Sequence, residues 1–464
     1  IYDNLENATN QLNRLIEDIK LNPSRYINFS VFGKKNKSLE FIPNIIFVII
    51  LVVSLGFFSR NVMRLKRNIN LGKGQTDPII NKPERIKNML RIALGQSKMV
   101  TRPIPGILHF IVYLGFIIIN IELIEILIDG IFGTHRVFSS MGGFYGFLIG
   151  SFEVFAVLVL IAVIAFWSRR NIIRIKRFSE TKMMGWPKLD ADLILYFEIL
   201  LMSLFLLMNA TDLEFQNMNN GNVISGYIYP YFSGYSEETL HLFERSFWWS
   251  HIIGIFIFLN YLYYSKHLHI ILAFPNTYYA SLSDMGKLNN MKSVTNEVNI
   301  MMGKSNESDV NDDINFGASD VMDLSWLQLL NAYSCTECGR CTSVCPANMT
   351  GKKLSPRKIM MDTRDRIEEV GNNIDTNGKY INDNKKLLGD YISEEELWAC
   401  TSCNACVEEC PISINPLSII MDMRRNLVME DSSAPSELNN MMSNIENNGA
   451  PWPYNQQDRL NWNE

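Results

Sequence analysis

Apolar residues gather into five long stretches between residues 43 and 275, separated by charged loops, and from residue 276 onward the chain turns polar and rich in Asn, Asp, Glu and Met. The stretches run approximately from Pro43 to Phe58 with a few flanking residues, Ile107 to Phe132, Phe144 to Trp167, Ala191 to Leu207, and Phe247 to Pro275. A bilayer core of roughly 30 Å takes about 20 helical residues to cross, so each stretch predicts a transmembrane helix. A soluble protein can bury one or two helices this apolar, but five between charged loops point to membrane spans. The mean hydropathy of +0.01 sits near zero only because the two unlike halves cancel.

Charge orients the spans. The loop after the first span holds eleven basic residues from Arg60 to Arg102 and the loop after the third holds seven from Arg169 to Lys188, whereas the other two loops carry only Arg136 and Arg245. The positive-inside rule puts the basic loops in the cytosol, so the fifth span delivers the polar half there. The N-terminal extension, 1–42, then lies outside despite its own basic residues. A net charge of −5 is too small to argue a partner, and no basic, aromatic-interleaved stretch points to nucleic acid.

The polar half divides further. Residues 276–323 read as a linker, with a solvated acidic run at Glu307, Asp309, Asp312 and Asp313. Residues 324–435 form a compact domain with expected helices after Ser325, from Pro356 to Val370, from Ser393 to Trp398 and from Pro416 to Glu430. Residues 436–464 are a tail expected to bind a partner.

All eight cysteines fall inside that domain, in two copies of one pattern: Cys335, Cys338, Cys341 and Cys345 before Pro346, and Cys400, Cys403, Cys406 and Cys410 before Pro411. That run holds [4Fe–4S] clusters, and in two-cluster proteins the fourth thiolate of each comes from the other run. Cys335, Cys338, Cys341 and Cys410 are therefore assigned to one cluster, and Cys400, Cys403, Cys406 and Cys345 to the second. Structural zinc usually pairs two short Cys-x2-Cys hooks instead, and disulfides would need an oxidising compartment. With helices dominating and 54 residues between Cys345 and Cys400, the domain is expected to be an α-helical ferredoxin.

Among the histidines, His109 opens the second span on its cytosolic side, His267 and His269 close the fifth on that side, and His251 sits near the opposite face. At about 100° per residue an unbroken fifth helix sets His251 and His269 on one face and His267 nearly opposite. Two neutral imidazoles at equal depth on different helices are what a six-coordinate haem b requires, which makes His109 and His269 the candidate axial pair. The alternative is that these rings rest at the headgroup boundary. His135 and His241 read as surface residues of outer loops.

His251-x2-Gly254 followed by Ser265-Lys266-His267-Leu268-His269 resembles the last span of the respiratory nitrate reductase membrane subunit, which carries a haem b there. Gly339-Arg340-Cys341, Cys345-Pro346 and their repeats resemble the iron–sulfur part of heterodisulfide-reductase-like proteins. Joined in this order over Asn44 to Glu464, the two look like the membrane-bound iron–sulfur oxidoreductases that pass electrons between cytosolic flavoproteins or sulfur enzymes and menaquinone. The resemblance implies an all-α protein: a five-helix transmembrane cytochrome b-like bundle followed by a cytosolic α-helical dicluster ferredoxin domain. It implies residence in a bacterial inner membrane, menaquinone as substrate, and an electron-transfer flavoprotein or a separate cysteine-rich heterodisulfide-reductase-like subunit as partner. The nitrate reductase type has a second histidine in its second span, ten residues after the first; counted from His109, Ile119 stands there, so one haem b is expected. Asn448 to Trp462 resembles the lead-in to a further cysteine-rich module, which is expected on a separate subunit.

Glu122, Glu125, Glu153, Glu198 and Asn120 lie inside spans, where polar groups mark proton paths, ligand sites or helix–helix hydrogen bonds. Glu122 and His251 are the candidate contacts of an outer quinone pocket, set against the expectation of a quinone close to the haem. No residue is singled out as catalytic. The expected role is a membrane electron-transfer subunit running from a cytosolic donor through the clusters and haem b to menaquinone. The alternatives are quinol oxidation feeding a cytosolic sulfur-compound reductase, and an anchoring, proton-conducting subunit of a larger complex. Two cubanes should give about eight iron atoms and about eight acid-labile sulfides per chain after haem iron is subtracted, which colorimetric iron and sulfide assays check.

Overall fold

The computed structural model describes residues 41–74, 81–178, 180, 183–288, 290–304 and 316–463; the extension through residue 40 and the acidic run at 307–313 lie outside the described residues. Among the described residues the chain is helical, with no strand and only isolated bridges between Lys73 and Ser325 and between Leu388 and Ile392. It packs as two compact units, one from residues up to 64 together with 95–268, the other from 65–94 together with 269–464.

Five helices are long and apolar enough to cross a membrane: α1 (Ile42–Ile69), α3 (Pro103–Phe132), α4 (Gly143–Asn171), α5 (Trp186–Thr211) and α6 (Glu237–Tyr261, continued by one tighter turn to Tyr264). Between the first two lies α2 (Lys82–Met89), part of the second unit, as is the last turn of α1. Ile45, Val52, Ile107, Phe147 and Ile161 all point outward and are exposed, a belt that lipid covers at no cost. Helices α3 to α6 pair in chain order around Phe152, Ala156, Val159, Phe205 and Ile252. Gly115 lets α3 and α4 close up, since a Cβ there would stand 2.5 Å from Val159 Cγ2.

Polar networks tie both ends of this bundle. At one end Arg136, buried in the loop before α4, donates to Asp212 Oδ2 (2.7 Å), Asn209 Oδ1 (2.8 Å) and the Tyr145 hydroxyl (3.2 Å), and its guanidinium stands 4.1 Å above the Phe215 ring. A buried guanidinium is tolerable only when paired in this way. Tyr145 in turn donates to Glu125 (3.1 Å), Asn209 donates to Glu153 (3.1 Å), and the other Glu153 oxygen accepts the Ile224 and Ser225 N–H groups at 2.7 and 3.0 Å. Glu125 and Glu153 thus tie helix ends together.

At the other end the fifth span differs from expectation. It starts at Glu237, capped by Ser236 and the acids Glu237 and Glu238, and stops at Tyr264 rather than running from Phe247 to Pro275. Ser265 is extended, at φ −108° and ψ 151°. Asp190 of α5 holds the break, accepting from the Tyr261 hydroxyl (2.6 Å) and the Lys266 N–H (3.1 Å). A separate helix, α7 (His269–Tyr279), begins afterwards in the second unit. His251 and His269 therefore do not share one continuous helix face, because Asp190 offers the backbone a better partner than the next helical turn would.

In the second unit α7 packs against α2 and against α8 (Trp326–Ser334). Arg85 donates to the Tyr278 and Ala280 carbonyls (both 3.2 Å), Asn88 to that of Thr277 (2.8 Å), and the Tyr279 and Trp326 rings meet edge to face at 4.8 Å. Asn276 and Thr277, read from sequence as the start of a linker, are fully buried in the last turn of α7. The backbone of Lys73 pairs with Leu324 and Trp326, and Asn68 donates to the Tyr333 hydroxyl at 2.9 Å. Helices α9 (Pro356–Asn377), α10 (Glu394–Trp398) and α11 (Pro416–Met429) follow, capped by Ser355, by a Ser393–Glu396 capping box and by Asn415. The exposed helix α12 (Ser436–Asn448) leads into the tail, where Trp452 and Trp462 are exposed.

Burial alone would raise the Asp212 carboxyl, but the hydrogen bond from His135 and the Arg136 charge hold it well below the usual carboxylate range, and the same hydrogen bond raises His135. Asp212 adds stability that is present above its ordinary pKa of about 4 and lost on acidification. His135 adds stability that is present below about pH 6.5 and lost as pH rises through its raised value. Asp212→Asn should cost about 3 kcal/mol, because Arg136 stays buried without its counter-charge. His135→Gln should remove the weakening that sets in as pH rises above about 6.5; melting curves in detergent across the acid and alkaline sides of neutrality check both.

Candidate iron–sulfur site

Each cysteine run wraps by alternating ordinary and left-handed residues. In the first, Glu337 (φ 53°) and Gly339 (φ 71°) are left-handed; in the second, Ser402 (φ 55°) and Asn404 (φ 58°) hold the same places. Such kinks on both sides of the middle cysteine turn successive side chains inward, which a helix or strand cannot do. Glycine takes this conformation freely and Asn tolerates it. Glu337 has no such ease, and its buried carboxylate is held by an ion pair with Arg364. A one-turn helix then presents the third cysteine of each run, Arg340–Ser343 and Ala405–Glu409, and these two turns pack on each other.

The runs meet crosswise. The Cys341 thiol feels the charges of Cys338, Cys335 and Cys410, and that of Cys406 more weakly. The Cys406 thiol feels Cys400, Cys345 and Cys403. Burial pushes Cys335 and Cys406 up to about 12 and Cys341 well above its ordinary value. All eight are free thiols. Eight thiols in two runs that pack together, most of them at least partly withdrawn from water and costly to ionise alone, suit a cationic iron core that draws out the thiolates, so this set fits two [4Fe–4S] clusters. Backbone N–H groups already point at several of the sulfurs, Glu337 at Cys335, Val407 at Cys406, Ser402 at Cys400 (3.4 Å) and Ile414 at Cys410 (3.3 Å). Cys403 is exposed, whereas Cys335, Cys345 and Cys406 are buried.

Sequence reasoning missed the supports. Arg424 on α11 donates to the Leu397 and Cys400 carbonyls at 2.6 and 2.5 Å and lies 4.9 Å from the Trp398 ring, bracing the start of the second run. Arg364 does the same for Glu337. Neither position carries a local signal, because each partner is distant in the chain.

The membrane candidates separate. His109 lies on α3 in the first unit and His269 opens α7 in the second. Both are half-buried imidazoles, the donor type haem iron takes. Glu122 is buried, its Oε2 has no hydrogen-bond partner among the described residues, and it faces a cavity of about 200 Å³ lined also by Phe47, Glu125, His135, Arg245 and Trp248. His251 does not line that cavity; it is buried against Phe205, facing the Leu201 carbonyl.

Residues 334–414 match the family model of a 4Fe-4S dicluster domain. The chain is 29% identical over 412 residues to the probable iron-sulfur-binding oxidoreductase FadF of Bacillus subtilis, covering 82% of this chain and 55% of that protein. It is 26% identical over 424 residues to the EtfAB:quinone oxidoreductase of Syntrophomonas wolfei, covering 84% of this chain and 56% of that protein. A probable membrane-anchored ferredoxin of Chromohalobacter salexigens is 32% identical over 168 residues, 32% of this chain and 24% of that protein. Shorter matches include CoB-CoM heterodisulfide reductase subunits C. No solved structure matches significantly. The chain spans about half the length of the first two of these relatives. Its homologues are iron–sulfur oxidoreductases, and this chain has a 4Fe-4S dicluster domain and, among the described residues, five apolar helices of membrane-spanning length.

Cys410→Ser should disturb the cluster whose other ligands begin at Cys335 and leave the one beginning at Cys400. EPR of the reduced protein, set beside Cys338→Ser and Cys403→Ser, checks which signal is altered; a change confined to the Cys403-type signal contradicts the crossed assignment.

Proposed function

We propose that the chain is a membrane electron-transfer subunit that carries electrons between a cytosolic partner and menaquinone. The observation that carries this reading is the packing of the two cysteine runs on one another inside a matched dicluster segment, in a chain that also has five membrane-length helices. Cys335, Cys338, Cys341 and Cys410 hold one [4Fe–4S] cluster and Cys400, Cys403, Cys406 and Cys345 the other. Such clusters supply one-electron transfer at potentials set by hydrogen bonds to sulfur and by exposure. The chain's part is to bury the sulfurs, to aim the Ser402 and Ile414 N–H groups at them, and to brace the loops with Arg364 and Arg424.

The same reading assigns one haem b to His109 and His269, on their matching depth in the sequence. The basic loops favour a bacterial cytoplasmic membrane with the cluster domain in the cytosol. The relative named EtfAB:quinone oxidoreductase favours an electron-transfer flavoprotein as donor and a quinone as acceptor. Quinone reduction also takes up two protons, and Glu122, a buried acid facing a cavity, is suited to handle one. The heterodisulfide reductase matches favour a second, reverse reading, in which quinol feeds a cysteine-rich partner acting on a sulfur compound.

The test uses the chain in lipid nanodiscs. Reduced with dithionite and mixed with menadione, it should show reoxidation of both cluster signals and of a single low-spin b-type haem. His109→Ala and His269→Ala should each abolish the haem absorbance and slow cluster reoxidation by roughly tenfold or more, while both clusters remain. A chain that binds no haem, or whose clusters menadione does not oxidise, overturns this reading.

A further inference from the structure

The two Cys-Pro limbs are built differently. After Cys345 the chain enters a one-turn helix, Pro346–Met349, and satisfies itself locally, the Met349 N–H donating to the Cys345 carbonyl at 2.9 Å. After Cys410 there is no helix. Pro411 and Ile412 lie in a turn, and Ser413 is left-handed at φ 60°. That limb is pinned from outside, at two points. Asn276 Nδ2 donates to the Ile412 carbonyl at 2.7 Å, and the Asn415 N–H donates to Asn331 Oδ1 of α8, also at 2.7 Å. Between the pins the Ile414 N–H reaches Cys410 Sγ at 3.3 Å.

Asn276 is fully buried, and its Oδ1 has no partner among the described residues. A buried amide oxygen left unpaired is costly, so the side chain is kept for what its Nδ2 does. It follows Pro275 in α7, whose first residue is His269, seven residues earlier. At a rise of about 1.5 Å per residue that is roughly 10 Å of helix.

We propose that Asn276 is a positioning residue for the Cys410 ligand: by fixing the Ile412 carbonyl it holds the Ile414 N–H on Cys410 Sγ and so sets the potential of the cluster held by Cys335, Cys338, Cys341 and Cys410. The inference rests on the cluster assignment above and adds an order to the pair. The Cys410 set is the one attached to α7 and thereby to His269. The other set, which includes the exposed Cys403, is the one open to a soluble partner. A hydrogen bond to a ligating sulfur stabilises the more negative, reduced cluster, so its loss lowers the potential.

The experiment is potentiometric EPR of the full chain in nanodiscs, comparing wild type with Asn276→Leu and with Asn276→Asp, a same-sized side chain that keeps the fold available should leucine not be tolerated. The signal altered by Cys410→Ser identifies the cluster. That signal should shift to lower potential in both Asn276 variants, while the other midpoint and the iron content stay as in wild type. An unmoved midpoint, a shift of the other signal alone, or equal shifts of both overturn the inference. Two normal wild-type signals that ignore the substitutions would sink the role of Asn276 and leave the cluster assignment standing. A wild-type chain without cubane signals would remove the cluster assignment and this role together.

Discussion

Three cysteines spaced three apart can reach only three corners of an iron–sulfur cube, and the second unit is organised around where the fourth comes from. Cys341 feels the charge of Cys410 and Cys406 that of Cys345, which suits the proposed crossing, in which neither run completes a site alone. The one-turn helices that carry Cys341 and Cys406 must pack on each other, and α9 and α11 must close around them. Of the left-handed kinks at Glu337, Gly339, Ser402 and Asn404, those at Glu337 and Ser402 are costly taken singly. They persist because every surrounding element, down to the Glu337–Arg364 ion pair, holds them in place.

The membrane bundle obeys a different constraint. Its apolar faces find lipid as good a solvent as one another, so cohesion comes from close helix approach and from polar ties. Gly115 supplies the first between α3 and α4. Arg136 and Asp190 supply the second, one at each end, by converting charges that would be ruinous alone into satisfied networks. The same economy explains why Glu153 can sit fully buried: both of its oxygens are occupied by groups that need an acceptor.

Much of this was legible in the sequence, for physical reasons that differ by region. The five spans stood out because crossing a bilayer demands apolar length, and length survives without knowledge of neighbours. The capping box at Ser393 and Glu396 and the prolines that start α9 and α11 are local signals, and the structure has those helix starts. The break at Ser265 was hidden, since Ser265, Lys266, His267 and His269 are each tolerated near the end of a span and the group that stops the helix, Asp190, lies on another span. Asn276 was hidden for the same reason. Nothing about an asparagine after a proline announces a carbonyl more than a hundred residues away.

The membership of residues 65–94 in the second unit bears on how the protein is made. Lys73 lies alongside Leu324 and Trp326, and Asn68 and Arg67 reach Tyr333 and Asp375, so part of the wall around the cysteines is synthesised before α3 to α6 and part after them. On the ribosome the early segment must wait, unpaired, while four hydrophobic helices are threaded into the bilayer. That wall therefore closes only once the residues from 324 onward have been made. Excising the cysteine region as a soluble fragment from residue 269 onward would leave Trp326 and Tyr333 facing water where Gly72 and Asn68 belong.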